Sequence, residues 1–580
     1  MLYSANALGA VFFGVMCKQY ALFSRYFIEP LQTYLPTFSD RHTTSFPEED
    51  LGSNVNYISG AGILKAVLAI CACLSLIFSV NVSADAQLAR AAEKGQLDEI
   101  TQLLEQGIDV NSRLNDGTTA LHWAVLRDQQ ESVSLLMEAG ADPLVLNRNG
   151  ISPLFLAAQN GNEKIVSWLL NAGADPNTLS ENGETILMTA VHTGKSEVVN
   201  LLLSSGALVD YRDPEFQQTA LMIAVREGHD DVIDMLIRHG AKVDARTRLG
   251  LVPAYIPPCK GTGCGSEGVG INRSGVPHRG ERYDAKGGMT PLLYAARDGK
   301  FDAAKLLVEN GADLELREAN EITPLLMALL NNQLDVAELL LDSGALVNVD
   351  DFYGRTPLFA AVDYRNLDMN SDLEDDPQDN RVNRKPVLAM IKILLDAGAD
   401  VNARTKEWPP EKKWLYSLND VSWVDMTGQT PFIRASLAGD IPVMTMLLEY
   451  EADPHITTYE GTTALMAAAG VNWTVAQTYT VSEEASLEAV KLNVAQGGDV
   501  NATNSMGLTA LLGAANRGSN NIIQYLADEG AKLDAQDAVG RSALRWAEGV
   551  FLAAVGAEQK PETIALLKAL MDEAGIAYEH

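Results

Sequence analysis

Cysteine is scarce in this chain: five in 580 residues, at Cys17, Cys71, Cys73, Cys259 and Cys264. A domain built on disulfides is thereby excluded, and a zinc site would need a second ligand pair near Cys259 and Cys264 that the sequence does not supply. Positive charge is short as well. Against 76 Asp and Glu stand 44 Lys and Arg, a formal net charge of -32, and with no basic stripe a nucleic-acid partner is not expected. Catalytic signatures are missing: HExxH, GxSxG and paired-cysteine metal motifs do not occur. The Gly-rich "CKGTGCGSEGVGINRSG", residues 259–275, lacks the Gly-Lys-Ser/Thr ending of a phosphate cradle, so it reads as an extended loop. Neither a cofactor nor a metal is called for, and no enzyme activity is expected.

Long hydrophobic runs are few. One stands out, "GILKAVLAICACLSLIFSVNVSADA" from Gly62 to Ala86, with Lys65 followed by fifteen uncharged residues and then Val82-Ser83-Ala84. A cation, an apolar stretch and a small-residue ending make a secretory signal, with cleavage expected after Ala84. The stretch is short for a membrane span, and an uncleaved anchor is the alternative. The expected division is therefore an extension over 1–60, a signal peptide or anchor over 61–84, and a folded region over 85–580. Export follows, to a periplasmic or secreted location. In an oxidising compartment Cys259 and Cys264 would form a local disulfide, the alternatives being free thiols or a metal pair.

What fills the folded region is a repeat. "DGTTALHWAV", "NGISPLFLAA", "NGETILMTAV", "FQQTALMIAV", "GGMTPLLYAA", "NEITPLLMAL", "YGRTPLFAAV", "TGQTPFIRAS", "EGTTALMAAA", "MGLTALLGAA" and "VGRSALRWAE" follow one another. In each, a Thr or Ser is placed to cap a helix, Pro often takes the first turn, and small apolar positions allow close packing. The caps are Thr119, Ser152, Thr185, Thr219, Thr290, Thr323, Thr356, Thr430, Thr463, Thr509 and Ser542, and the uninterrupted spacing is 33. A second helix follows, as in "KIVSWLLNAGADPN", ending in Gly-Ala-Asp, where the Gly supplies a left-handed cap.

This period, with "TPLF-AA" and "GAD-N", resembles the ankyrin repeat. The resemblance implies an all-α ankyrin-repeat solenoid of about twelve helix-turn-helix repeats, counting a degenerate first copy in 86–114, with β-hairpin fingers and several long loop insertions. It also implies that fingers and first helices line a hollow, that His122 makes a structural hydrogen bond, and that the protein binds other proteins.

The period breaks at five places, giving insertions at about 248–287, 363–386, 404–426, 470–483 and 548–560. Loop length costs closure entropy only logarithmically, so a stack tolerates such additions, and long loops on a rigid scaffold often carry function. Aromatics gather in and around two of them. Trp408, Trp414, Tyr416, Trp423, Trp473 and Tyr479 lie in insertions, and Phe352, Tyr353, Arg355 and Tyr459 lie in nearby fingers. These ten are the candidate partner-binding residues, since such side chains dominate binding hot spots; the alternative is a satellite core folded on the stack. The acidic run with Asp368, Asn370, Asp372, Glu374, Asp375, Asp376 and Asp379 has Leu373 where a calcium loop wants Gly, so it reads as a solvated loop, a calcium site being the alternative. The expectation is a monomeric, non-catalytic scaffold for an unidentified protein partner, touching a membrane only through an uncleaved leader. Glycan binding through Trp and Tyr is the runner-up, and a hydrolase using insertion carboxylates a weaker third.

Overall fold

The computed structural model describes residues 84–253, 283–366, 384–406, 424, 426–472, 482–550 and 558–578. Cys259, Cys264, the acidic run 368–379 and the candidates Trp408, Trp414, Tyr416, Trp423, Trp473 and Tyr479 lie outside the described residues, as does the leader up to Ser83. From Val82 to His580 the chain is one compact unit. Among its described residues, twenty-four helices follow one another from Ala84–Lys94 to Pro561–Glu573, two to a repeat.

From Ala120–Leu126 onward, the eleven first helices start for the same local reason. The hydroxyl of the cap residue accepts the backbone N–H three residues on: Thr119 from His122, Ser152 from Phe155, Thr290 from Leu293, Thr356 from Phe359, Thr430 from Ile433, Ser542 from Arg545. That satisfies one of the donors every helix start leaves open. At His122 the cap is reinforced. Its Nδ1 lies 2.9 Å from the Thr119 hydroxyl and its Nε2 3.0 Å from the Ile151 carbonyl of the next finger, the structural role expected of it. Burial holds the imidazole below its ordinary pKa. Second helices end on a left-handed residue, Glu451 with φ 66° after Ile441–Glu449 and glycine after the others, as at Gly140 with φ 89°, where the Ala141 N–H returns to the Leu136 carbonyl.

Packing runs in sequence order. Every first helix contacts the first helix of the next repeat, from Ala84–Lys94 through Ala543–Ala547, while second helices contact their own first helix and, in most repeats, the next second helix. One continuous core results, including Leu88, Leu121, Leu154, Leu187, Leu221, Leu292, Leu325, Leu358, Phe432, Leu465, Leu511 and Leu544, each at most 5% exposed. A lone helix pair could not cover those side chains; its neighbours do. Where an insertion separates the two helices of a repeat, the second helix is longer: Arg384–Asp396, Glu483–Ala495 and Pro561–Glu573 have 13 residues, against nine in Glu163–Asn171.

The expected β-hairpin fingers are not what joins the repeats. An antiparallel ladder occurs among the described residues only at the edge of the longest insertion, where β1 (Gly250–Pro253) pairs with β2 (Tyr283–Lys286). Elsewhere the finger is a turn closed on itself, with isolated bridges at Leu179–Thr185 and Gln536–Ser542. The residue five before the cap donates its N–H to the carbonyl of the residue just before the cap, and its side chain accepts that residue's N–H. Asp351 does so with Arg355, Thr458 with Thr462 and Asn504 with Leu508. Five residues closed in this way leave no length for a strand ladder.

Candidate binding surface on the fingers

Successive fingers are tied to one another by single backbone hydrogen bonds. The Phe352 N–H reaches the Asn320 carbonyl at 3.1 Å, Lys406 reaches Tyr353 at 2.8 Å, Tyr459 reaches Thr427 at 2.9 Å and Ser505 reaches Glu460 at 2.8 Å. Contact this close is the reason for glycine at 354. Its φ is 78°, and a Cβ there would lie 2.5 Å from the Lys406 nitrogen. The finger tips therefore form a continuous edge of fixed spacing.

On that edge the four described candidates divide. Phe352 and Tyr459 stand at two finger tips, 40% and 56% exposed, whereas Tyr353 and Arg355 are buried, at 6% and 4%. Arg355 turns inward to form an ion pair with Asp351, Nη2 to Oδ2 at 2.7 Å and Nε to Oδ2 at 2.8 Å. Its guanidinium also covers the Tyr353 ring at 5.4 Å, and Phe352 meets that ring edge-on with centroids 5.3 Å apart. Burial pushes the Asp351 carboxyl above its ordinary range in spite of Arg355. Tyr353 and Arg355 thus hold the finger from inside and set the ring of Phe352.

Tyr459 is held by a residue that the sequence reading passed over. Arg404 lies beneath its ring, Cζ to centroid 4.2 Å, and donates from Nε to the Gly428 carbonyl at 3.0 Å and from Nη2 to the Thr457 carbonyl at 2.7 Å. The other finger insertion is closed in the same way. Arg246 donates from Nε to the Gly288 carbonyl at 3.3 Å and from Nη2 to the Arg317 carbonyl. Beside each arginine a threonine N–H closes the turn, Thr247 to the Met289 carbonyl and Thr405 to the Gln429 carbonyl. The shared signal was "ARTR" at 245–248 and "ARTK" at 403–406, one ahead of each finger insertion. Each clasp closes the base of an inserted segment and binds it to the following finger, so the period resumes undisturbed.

Behind this edge, between the repeats capped by Thr356 and Thr430, lies a buried ionic group. Arg365 meets Asp440 at 2.8 Å and Arg434 meets Asp363 at 2.6 Å. Asp440 also caps its own helix by accepting the Val443 N–H. From the finger insertion, the Val424 N–H reaches Asn472 Oδ1 at 3.3 Å, just past the first helix Ala464–Ala469. These contacts brace the repeats that carry Phe352 and Tyr459. They are crossed ion pairs and structural hydrogen bonds, without a pair of carboxylates facing across a cleft.

Among the described residues no group of three or more His, Cys, Asp or Glu is placed to hold a metal ion, and no helix is long and apolar enough to cross a membrane. No curated protein matches the chain. The family model described as ankyrin repeats (3 copies) matches residues 88–180, 154–247, 292–373 and 478–550, together more than half of the chain. The capped helix pairs, their stacking in sequence order and this match lead to one assignment: the chain belongs to the ankyrin repeat family.

Proposed function

We propose that this protein is a non-catalytic scaffold that binds a protein partner along the finger edge of the repeats capped by Thr356, Thr430 and Thr463. The observation that carries the reading is the exposed Tyr459 ring held on the Arg404 guanidinium, with exposed Phe352 two fingers before it. Large rings left in water on rigid supports lose little conformational freedom on binding, which is what makes aromatic side chains effective anchors. The insertion aromatics Trp408, Trp414, Tyr416 and Trp423 belong to the segment between these two tips in sequence, and Trp473 and Tyr479 to the next insertion; they complete the proposed surface. In this reading Tyr353 and Arg355 support Phe352 and do not themselves touch the partner.

The test compares proteins recovered from an extract on immobilised wild type, on Phe352→Ala/Tyr459→Ala and on Lys491→Ala, a change in a second helix. A partner lost only with the finger variant is the expected result; equal recovery on all three removes the finger edge from consideration. The work is placed outside the cytoplasm by the leader, a reading supported by its sequence and tested by N-terminal sequencing of the mature protein, which should begin after Ala84.

A further inference from the structure

Successive fingers are joined at two places, one at the base and one at the tip. At the base, the residue four after the left-handed end of a second helix reaches across to the following repeat. Asn111 donates from Nδ2 to the Gly140 carbonyl at 3.2 Å and accepts the Asp142 N–H at 2.7 Å. Asn348 does the same with Gly398 and Asp400, and Asn501 with Gly530 and Lys532. Asp210, Asp244, Glu315 and Asn402 make the second of these bonds, to the N–H of Lys242, Asp313, Leu346 and Asp453. At the tip, the residue after the one that opens the turn donates its N–H to the preceding finger, as Arg148 does to the Asp116 carbonyl at 2.9 Å and as Phe352 and Tyr459 do farther along.

The finger of residues 175–184 departs from this on both sides. Leu144 stands where the base asparagine belongs, and its side chain neither donates nor accepts. Toward the preceding finger, therefore, of the two ties only the one at the tip is left, the Glu181 N–H to the Asn149 carbonyl at 3.3 Å. Toward the following finger the base tie is whole, Asn177 meeting the Gly206 carbonyl at 2.9 Å and the Leu208 N–H at 2.8 Å. Here it is the tip donor that is missing, because its place is taken by Pro214, which has no N–H. Pro214 meets the opposite tip through its ring, so closely that a Cβ on Gly183 would lie 2.6 Å from Pro214 Cγ. The finger thus keeps one tie on each side, at opposite ends. His455 takes the place of another base asparagine, yet that joint has a brace from Asn504 Nδ2 to the Thr462 hydroxyl at 3.1 Å beside the tip bond from Ser505 to Glu460.

We infer that the finger of residues 175–184 is a flexure built into the array, at which the repeats before it and those after it change their mutual angle. Two separated ties resist rotation in either sense, whereas a joint with one tie turns about it. Toward the preceding finger the pivot is the tip and the bases part; toward the following finger the pivot is the base and the tips part. Leu154, Leu187 and Leu221 are buried and carry the core through these repeats, so the first helices stay in contact and the motion is a small rotation of the stack. The fingers that bear Phe352 and Tyr459 have base and tip ties at each joint between them: Asn348 and Asn402 at the base, the Lys406 and Tyr459 N–H groups at the tip. That stretch stays stiff while the angle changes elsewhere. The flexure rests on the finger contacts alone and does not require the edge of Phe352 and Tyr459 to bind anything.

The experiment measures distances between paired spin labels by pulsed electron paramagnetic resonance, on the full chain with its five native cysteines changed to Ser. Labels on Glu138→Cys/Arg238→Cys span the flexure, and labels on Glu309→Cys/Glu449→Cys span joints that keep both ties. All four positions are exposed, each is the last residue of a second helix, and each pair is three repeats apart. The distance distribution of the first pair should be about twice as wide as that of the second. Leu144→Asn/Pro214→Ala, which supplies the two missing ties, should narrow the first distribution to the width of the second. Equal widths in the two pairs overturn the inference. So does a first-pair width that the double change leaves as it was, in a variant that melts with wild type.

Discussion

At the scale of single residues, the fingers show how a polar side chain can be a folding element. Asp351 and Arg355 bury an ion pair that closes a turn by side chain and backbone together. The last finger repeats the device with Asp537 and Arg541, 2.6 Å apart, while Trp546 donates from Nε1 to the same carboxylate. Removing one partner of such a pair strands a charge. Arg355→Ala should therefore cost about 3–5 kcal/mol in chemical denaturation at neutral pH, and Asp351→Asn/Arg355→Met markedly less, because the double change removes both charges. The pH dependence has a definite sign. Burial raises the Asp351 pKa above its ordinary 3.8, so the folded chain holds this proton more tightly than the unfolded one. That increment of stability is complete below 3.8 and is lost as pH rises through the elevated value. The deficit of Arg355→Ala should accordingly shrink as pH falls, and a deficit independent of pH would show that the carboxylate is not stranded.

At the scale of elements, the clasp explains how insertions enter the array without breaking it. Arg212, Arg246 and Arg404 each reach the carbonyl of the residue that precedes the turn in the next finger, at Arg246, Arg317 and Thr457. The reach of arginine spans two fingers; a methionine would fill similar space and donate nothing. Arg404→Met should cost about 1–2 kcal/mol and loosen the Tyr459 finger before the stack. Hydrogen exchange of the Tyr459 and Lys406 amides, hydrogen-bonded to the Thr427 and Tyr353 carbonyls, is the measurement. Unchanged protection at both would show that the clasp is dispensable. The eleven caps were legible in the sequence, because a cap is an interaction over three residues. The hairpin was not borne out, since whether a turn extends into a ladder depends on what its neighbours leave room for.

At the scale of the whole molecule, stability is a sum over neighbouring repeats. First helices touch in order from end to end, so damage should spread only as far as the next interface permits. Leu511, 1% exposed in the core near the C-terminal end, gives the test. Leu511→Ala should cost about 2–5 kcal/mol and lower amide protection in the repeats capped by Thr463, Thr509 and Ser542, while those capped by Thr119, Ser152 and Thr185 keep theirs. One cooperative loss across all repeats would contradict a nearest-neighbour account.

The amino-acid sequence alone determined the helix pairs, their capping hydroxyls and the glycine ends, because each rests on hydrogen bonds between residues a few positions apart. The tertiary structure decided what faces outward. Phe352 and Tyr353 are adjacent and chemically alike, yet one is exposed and the other lies under Arg355. Likewise Arg404 acquires its role only from carbonyls 24 and 53 residues away. Which of several aromatic or cationic side chains a finger buries is set by the neighbouring finger across the gap, and that neighbour's position is a product of the stacking.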